Sequence, residues 1–317
     1  MKIKTNLDKF IMLKYLVTKL FQSIILALGV LLLAFLMIRM TGDPTSLMLS
    51  RNASAEERAA FRASMGFDKP LSVQFINWIR NVFRGDFGNS LHFKESALDL
   101  VVQRLPATIK LAGIGLLMAV IIGIPLGFWG GLKSGSIPDT IGRLIALMGQ
   151  SIPNFWLGLI LILIFAQRLG WFPVFGNDEP KAVILPAFVL CLPVMGELLR
   201  LTRSAVLEVH NEDFVRTAWS KGLYRRTIYI NHILTNVFIT LISVIGVEFG
   251  YMLGGSIYIE TVFSWPGMGQ LIGQALGWRD YPLIQTIVIF TSIVVILLNL
   301  LTDIIYALLD PRIRYAK

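Results

Sequence analysis

Charge is scarce in this chain: of 317 residues only 15% are Asp, Glu, Lys or Arg. Cysteine is scarcer, with Cys191 alone and inside an apolar run, so neither a disulfide framework nor a thiolate metal site is expected. The three histidines are scattered, His92 in one polar segment and His210 and His232 in another. No His cluster or carboxylate pair of the kind a membrane enzyme needs is evident. A phosphate cradle of the G-x-x-x-x-G-K-[ST] type is also missing, so the chain is expected to bind no ATP and to carry no cofactor or metal of its own. The formal charge of +9 comes without an aromatic-basic strip, which argues against nucleic acid as a partner. What is abundant is apolar surface: 55% hydrophobic residues and a mean hydropathy of +0.68 place the chain among integral membrane proteins, with lipid as its surroundings.

A hydrocarbon core of ~30 Å takes about 20 apolar helical residues to cross, and six stretches qualify: 18–40, 108–131, 148–168, 182–202, 237–262 and 282–308. The expected fold is therefore an all-α integral membrane protein with six transmembrane helices. The first run, "SIILALGVLLLAFLMI", lacks a small-residue cleavage site after its apolar part and reads as a retained span. Fifteen Lys and Arg lie in the N-terminal segment, the second short loop, the 203–236 loop and the tail, against Arg168, Lys181 and Arg279 in the short loops opposite. By that asymmetry both termini are cytoplasmic. The layout is then a cytoplasmic segment 1–17, the first span 18–40, an external loop 41–107, a five-helix core 108–309 interrupted by the cytoplasmic loop 203–236, and a cytoplasmic tail 310–317. No internal inverted repeat of the secondary-transporter kind is visible in the six spans.

The external loop has order of its own. In "SAEERAAFRASMG" Ser54 is a helix N-cap, Glu56 and Glu57 suit the first turn, and Gly66 is a stop. "LSVQFINWIRNVFRG" follows, with Leu71, Phe75, Trp78, Ile79, Val82 and Phe83 at helical spacing. This predicts a small external helical subdomain, either a docking platform or gate cover, or an amphipathic helix on the outer leaflet. Within the spans, Gly113, Gly115, Gly123, Pro125 and Gly127, Pro153 and Gly158, and Gly246, Gly250, Gly254 and Gly255 allow close helix packing or a moving pathway.

The polar stretch "NEDFVRTAWSKGLYRRTIYINHIL", 211–234, lies between two apolar runs. Asn211 can N-cap a helix, Glu212 and Asp213 suit its positive end, and Gly222 is placed for a left-handed stop. Phe214, Val215, Ala218 and Trp219 share one face and Arg216, Thr217, Ser220 and Lys221 lie elsewhere, giving an amphipathic rod of about ten residues and ~15 Å. A second helix starts near Tyr224 and runs into the fifth span. From these features the rod could lie on lipid or in a groove of another protein.

"RTAWSKG" (216–222) followed by "HILTNV" (232–237) resembles the EAA loop of ABC importer permeases, with Arg216, Thr217, Ala218 and Gly222 filling the motif. Arg216 stands where many relatives have Glu, and Thr235 where many have Pro or Arg. The resemblance extends through "TGDP" (41–44), "FDKPLSVQFINWI" (67–79), "GDFGNS" (85–90), "RLPATIKL" (104–111), "SIPNFWLG" (151–158), "LGWFP" (169–173), "GGSIYIETVFSWPGMGQL" (254–271), "RDYPLIQ" (279–285) and "ALLDPRIR" (307–314). On these motifs the chain is similar to the dipeptide/oligopeptide/nickel permease family, and to the first permease of such pairs. The resemblance implies a type I ABC importer permease fold in the bacterial inner membrane. It also implies a second homologous permease, two cytoplasmic ATPases that hold the ATP and Mg, and an external substrate-binding protein. Short peptides are the implied cargo, with nickel or metal chelates, glutathione or opines as the alternative.

In that family the EAA loop is the helix seated in a cleft of the ATPase. The resemblance therefore implies coupling roles for Phe214, Val215, Arg216, Thr217, Ala218, Trp219, Lys221, Gly222, Arg225 and Arg226. Apolar contacts from Phe214, Val215 and Trp219 would anchor the rod, the four cations would form its rim, and Ala218 and Gly222 would permit close seating. Ionisable groups inside spans are expensive and mark candidate functional positions. Glu197 and Arg200 are expected to pair near the cytoplasmic end of helix four. Glu248, mid-span, lines the pathway or hydrogen-bonds a neighbouring helix. Glu260 matches the family's Glu before "VFSWPGMG", and Asn299 and Asp303 are expected to join helices. Pro266, Gly267 and Gly269 predict an irregular external segment, either a gate or an ordinary loop.

Overall fold

The structure, a computed structural model, describes residues 17–33, 35–36, 49, 53–64 and 66–309, with the side chains of 64, 239, 255 and 306–309 excepted. The expectations for segment 1–16, for "TGDP" and for the tail 310–317 lie outside the described residues. Among the described residues the chain is helical, and its one extended pairing is the antiparallel bridge of Asn89 with Ser96.

The described part of the first span is α1, Val17–Leu33. Outside it lie α2 (Ala55–Ser64) and α3 (Leu71–Phe83). Ser54 caps α2 reciprocally: its hydroxyl accepts from Glu57 N at 3.1 Å, and its own N donates to Glu57 Oε2 at 2.8 Å. This is the Ser-x-x-Glu box that satisfies two orphan donors at once. Gly66, at φ +68°, ends that segment. Helix α3 has no fully buried residue. Phe75 and Trp78 stack within 6.0 Å of each other and pack on Phe35, at ring distances of 5.3 and 5.9 Å. These two helices are thereby tied to the chain leaving the first span.

The bundle proper is α4 (Ala97–Leu132), α5 (Ile137–Ser151), α6 (Asn154–Leu161), α7 (Ile184–His210), α8 (Asp213–Ser220), α9 (Thr235–Gly255), α10 (Ile257–Val262), α11 (Met268–Trp278) and α12 (Tyr281–Leu309). Helix α6 continues as π-helix over Ile162–Arg168, and a turn at Arg225–Thr227 passes through π-helix Ile228–Leu234 into α9. Among the described residues three helices are singly long and apolar enough to cross a membrane, and five spans result if each bent pair counts as one.

Several boundaries differ from the apolar runs. The second crossing helix starts at Ala97, inside the segment assigned to the external loop, because Ser96 caps it and Pro106 is accommodated in its body. The third crossing starts at Ile137 rather than 148 and is broken by 105° between α5 and α6. Pro153, before Asn154, removes the donor that would continue the helix. Helix α7 runs on to His210, so Arg203 is helical, not a loop cation. The fifth run stops at Gly255 and restarts as α10.

Helix α7 is the axis of the packing. Gly115, Ala119, Gly123, Gly127 and Gly131 form a small-residue stripe on α4 at four-residue spacing, all buried. A Cβ on Gly127 would lie 2.5 Å from the Leu199 carbonyl, and one on Gly123 2.9 Å from that of Met195. Side chains at these positions would force α4 off α7, so the backbones meet directly. Helix α5 approaches from another side, where a Cβ on Gly149 would lie 2.5 Å from Leu192 O. Around this axis a central core of Leu111, Leu161, Leu198, Met252, Ile259 and Trp265 is flanked by two further apolar clusters. One lies at one end of the bundle, on α4, α7, α8 and α9, and the other at the opposite end, on α4, α11 and α12. Asp303 on α12 pairs with Lys19 on α1 at 3.0 Å, joining helices as expected, while Asn299 is exposed.

Candidate functional site at the two ends of the bundle

Helix α8 forms the tip of one end of the bundle. Its N-cap is Glu212, with extended backbone (φ −68°, ψ 149°), not Asn211. Asn211 instead ends α7, where its Nδ2 donates to Leu207 O at 2.9 Å. The rod is thus 8 residues long, shorter than expected. Gly222 adopts φ +71°, and Leu223 N closes the end on Ala218 O at 3.3 Å. That left-handed C-terminal closure matches the sequence pattern and favours glycine.

The rod's inner face is Val215 and Ala218, buried at 0% and 4% exposure against Phe128, Val206, Ile228, Ile233 and Val237 of the chain's own apolar cluster at that end. Val215 is therefore not available as an anchor for another protein, which corrects the apolar face expected from spacing. Nor does Gly222 mark a close approach within the chain, since a Cβ there meets nothing within 4 Å. Phe214 and Trp219 stand at the edges of the buried face, partly exposed, with Trp219 edge-on to Tyr229 at 6.3 Å. Arg216, Thr217, Ser220 and Lys221 are exposed, as are Tyr224, Arg225 and Arg226 beyond the turn. Arg216 pairs with Asp213 at 3.5 Å, both mostly in solvent.

At the same end of the bundle lies a polar clamp that sequence reading missed. Asp139 on α5, 2% exposed, receives Arg203 Nε at 2.6 Å and Arg203 Nη2 at 3.3 Å, together with Gly135 N at 2.8 Å. Arg203 Nη2 also donates to Ser134 Oγ at 3.1 Å. The bidentate fork fixes the α4–α5 turn against α7. Only an Asp in the first turn after a Gly-containing loop hinted at it, because its partner lies 64 residues on. Arg200 hydrogen-bonds Gln150 at 3.2 Å instead of pairing with Glu197. The Glu197 carboxyl lies beside that of half-buried Glu248 on α9.

At the opposite end two buried carboxylates tie segments together. Glu260, on α10, is 0% exposed. Its Oε1 accepts from Thr108 Oγ1 at 2.8 Å and its Oε2 from Gln270 N at 3.0 Å. The same Thr108 oxygen accepts from Met268 N at 2.7 Å. The carboxylate thus sits at the N-terminus of α11, where free backbone donors favour negative charge. Gly267 and Gly269 are required there, because a Cβ on Gly267 would run into the Glu260 carboxylate and one on Gly269 would lie 2.6 Å from the Ile257 Cα. Trp265, 1% exposed, donates from Nε1 to Ala107 O at 3.0 Å. Glu260, Pro266, Gly267 and Gly269 are therefore brought together, but as a packed corner with Glu260 enclosed.

Asp280 closes the other side. It is fully buried, its Oδ2 accepts from Ser90 Oγ at 2.5 Å and from His92 N at 3.1 Å, and its Oδ1 from Leu283 N at 3.3 Å. His92 stacks on Trp278 with ring centroids 3.6 Å apart. The distant motifs "GDFGNS" and "RDYPLIQ" meet in this contact, a pairing the sequence did not reveal. Among the described residues no group of His, Cys, Asp and Glu is arranged to hold a metal ion.

Residues 123–315 match the family model described as binding-protein-dependent transport system inner membrane component, and residues 12–112 match the model of the N-terminal part of such membrane components. The glutathione transport system permease protein GsiC of Salmonella choleraesuis (strain SC-B67) is 37% identical over 305 residues, covering 96% of this chain and all of the relative. The oligopeptide transport system permease protein AppB of Bacillus subtilis (strain 168) is 36% identical over 316 residues, with the same two coverages, 96% and 100%. A probable peptide ABC transporter permease protein, y4tP of Sinorhizobium fredii, is 36% identical over 95% of this chain and 99% of its own length. Among solved structures, an inward-facing form of the MetNI methionine ABC transporter has a chain that superposes with a TM-score of 0.55 at 19% identity. The match covers 67% of this chain and 96% of that one, and shows a common fold.

Proposed function

The chain belongs to the family of binding-protein-dependent transport system inner membrane components, and on that premise we propose that it imports short peptides, dipeptides to oligopeptides, with glutathione as the alternative cargo, as the first of two permeases in an ATP-driven complex. It is a multi-pass inner-membrane permease of an ABC importer and not itself an enzyme. The observation that carries the cargo is the near-full-length likeness to permeases named for glutathione, oligopeptides and peptides. ATP and Mg belong to two cytoplasmic ATPase subunits, the cargo arrives on an external binding protein, and both termini are cytoplasmic.

The coupling surface in this reading is α8 with the turn after it. Because Val215 and Ala218 are packed into the cluster shared by α4, α7 and α9, a push on the rod's outer side is transmitted to three crossing helices at once. Phe214, Arg216, Thr217, Trp219, Lys221, Arg225 and Arg226 face the ATPase, Gly222 sets the turn, and Val215 and Ala218 hold the rod to its own bundle. ATP-driven closure of the ATPases then rebalances two packings of the bundle. Half-buried Glu248, beside Glu197, lines the pathway and favours cargo bearing a cationic group. The external corner closes the pathway beneath the binding protein.

The test is reconstitution in liposomes of this chain with its companion permease, ATPases and binding protein, followed by uptake of labelled glutathione and of dipeptides to tetrapeptides. ATP-dependent accumulation of short peptides is expected. Uptake by the purified chain alone without ATP, as a secondary transporter would give, overturns the reading, and transport restricted to a metal chelate or an opine overturns the cargo.

A further inference from the structure

Helix α3 is apolar at eight of its 13 positions, yet no residue in it is buried by the rest of the chain. Apolar surface gathered on one element and left open marks contact with something else. Part of the helix is accounted for. Phe75 and Trp78, three residues apart and so on one side, both reach the ring of Phe35, which is only 1% exposed. Phe35 lies two residues past α1 and before Arg39, the first charge to follow the apolar run. Along α1 itself Phe21, Ile25, Leu28 and Leu33 are exposed, as suits a span whose outer side meets lipid. The middle of α3 is therefore fastened to the chain at the boundary of the hydrocarbon.

A second apolar edge has no cover within the chain. Ile76 and Phe83, seven residues apart and so on one line of the helix, are 58% and 83% exposed. Arg80 stands one turn beyond Ile76 and Arg84 caps the C-terminus, both exposed. Among the described residues neither arginine has a carboxylate within ion-pair distance, and α3 contains no Asp or Glu. Asn77 and Asn81, on the far side from Phe83, are exposed and neutral. An apolar line bordered by cations, with a polar edge behind it, is the make-up of a helix that lies in the plane of a membrane interface.

We infer that α3 is such an interfacial helix, resting on the phospholipid leaflet at which α1 ends, with Ile76 and Phe83 among the upper acyl chains and Arg80 and Arg84 on lipid phosphates. Continuity selects lipid as the occupant: the exposed side of α1 leads to Phe35, Phe35 is covered by α3, and the open edge of α3 carries the same apolar surface onward. Charge selects it as well, because two unpaired arginines without a neighbouring acid on the helix suit the anionic side of a headgroup layer. Trp78, beside Phe35, is placed where tryptophan is enriched, at the border of hydrocarbon and water. This inference goes beyond the cargo and needs no assignment of it.

The experiment uses the full chain with its companion permease, reconstituted in vesicles of phosphatidylethanolamine and phosphatidylglycerol. Single nitroxide labels are attached at Ile76→Cys, Phe83→Cys, Asn77→Cys and Asn81→Cys; Cys191 is buried, and the parent treated with the same reagent serves as the blank. Collision of each label with oxygen, which concentrates in lipid, is compared with collision with a nickel chelate confined to water. The oxygen-to-nickel ratio is expected to be several-fold higher at 76 and 83 than at 77 and 81. Adding Arg80→Glu with Arg84→Glu should lower the ratio at 83 toward that of the asparagine positions. Equal ratios at all four positions would overturn the inference, and an unchanged ratio at 83 in the double arginine variant would overturn the phosphate contact. Labels at 76 and 83 shielded from both reagents, in the vesicles alone or on addition of the binding protein, would give the edge to a protein partner and overturn lipid as its occupant.

Discussion

At one corner of the bundle Glu260, Asp280, Ser90 and Thr108 are each buried and each bonded inside the chain, whereas at the opposite tip Lys221, Tyr224, Arg225 and Arg226 lie open to solvent. Both ends are built on short helices joined to long ones by glycine-containing turns. The difference lies in where the polar groups find partners. A corner that satisfies its own carboxylates is complete without other subunits and stays rigid as they come and go. A tip that leaves Lys221, Arg225, Arg226 and the ring of Tyr224 in solvent has polar and aromatic surface to offer a partner. The polar clamp of Asp139 and Arg203 lies at the same end as the tip but is closed within the chain.

That contrast can be broken first at Glu260. Glu260→Ala orphans the Thr108 hydroxyl and an α11 backbone donor inside the packed corner, and breaking a buried, multiply bonded charged group costs about 3 kcal/mol or more. Thermal unfolding of the detergent-purified complex should show a clear drop in melting temperature, and an unchanged melt would mean that the corner is not a structural unit. Asp280→Ala is expected to cost about 1–3 kcal/mol, and to loosen the 88–96 segment, read as faster proteolysis there. At the tip the pattern should reverse. Replacing Arg225 and Arg226 by Ala should leave stability within about 0.5 kcal/mol, as for surface substitutions, while uptake falls and becomes less sensitive to salt because rim charges act through screened attraction. The smallest effect is expected from Glu248→Gln, which should reduce uptake of cationic peptides relative to neutral ones without changing the melt. Equal uptake of both would assign Glu248 to packing.

Local signals were legible in the sequence. The Ser54–Glu57 box, the Gly66 and Gly222 stops and the apolar runs each rest on interactions within a few residues, so spacing alone exposes them. Contacts between distant segments were not. Asp139 with Arg203, Thr108 with Glu260 and Ser90 with Asp280 join residues that no local pattern links, and although Glu260 stood out as an ionisable group within a span, its partner did not. The break at Pro153 was hidden because long apolar runs lie beyond the few polar residues Gln150, Ser151 and Asn154 beside it, so windowed hydropathy reads straight through a 105° bend. The direction of α8 was misjudged for a related reason. Its apolar residues at helical spacing identify a buried face, but spacing does not say whose core buries it, and Val215 turned out to belong to the chain's own.

The most direct test of the division between a self-contained corner and a tip that offers its surface to a partner is backbone deuterium exchange on the permease pair, with and without its ATPases. Added protection on ATPase binding is expected across residues 213–228, with 85–96 and 256–271 already slow and unchanged. Unchanged exchange at 213–228, or new protection confined to 85–96 and 256–271, would contradict it.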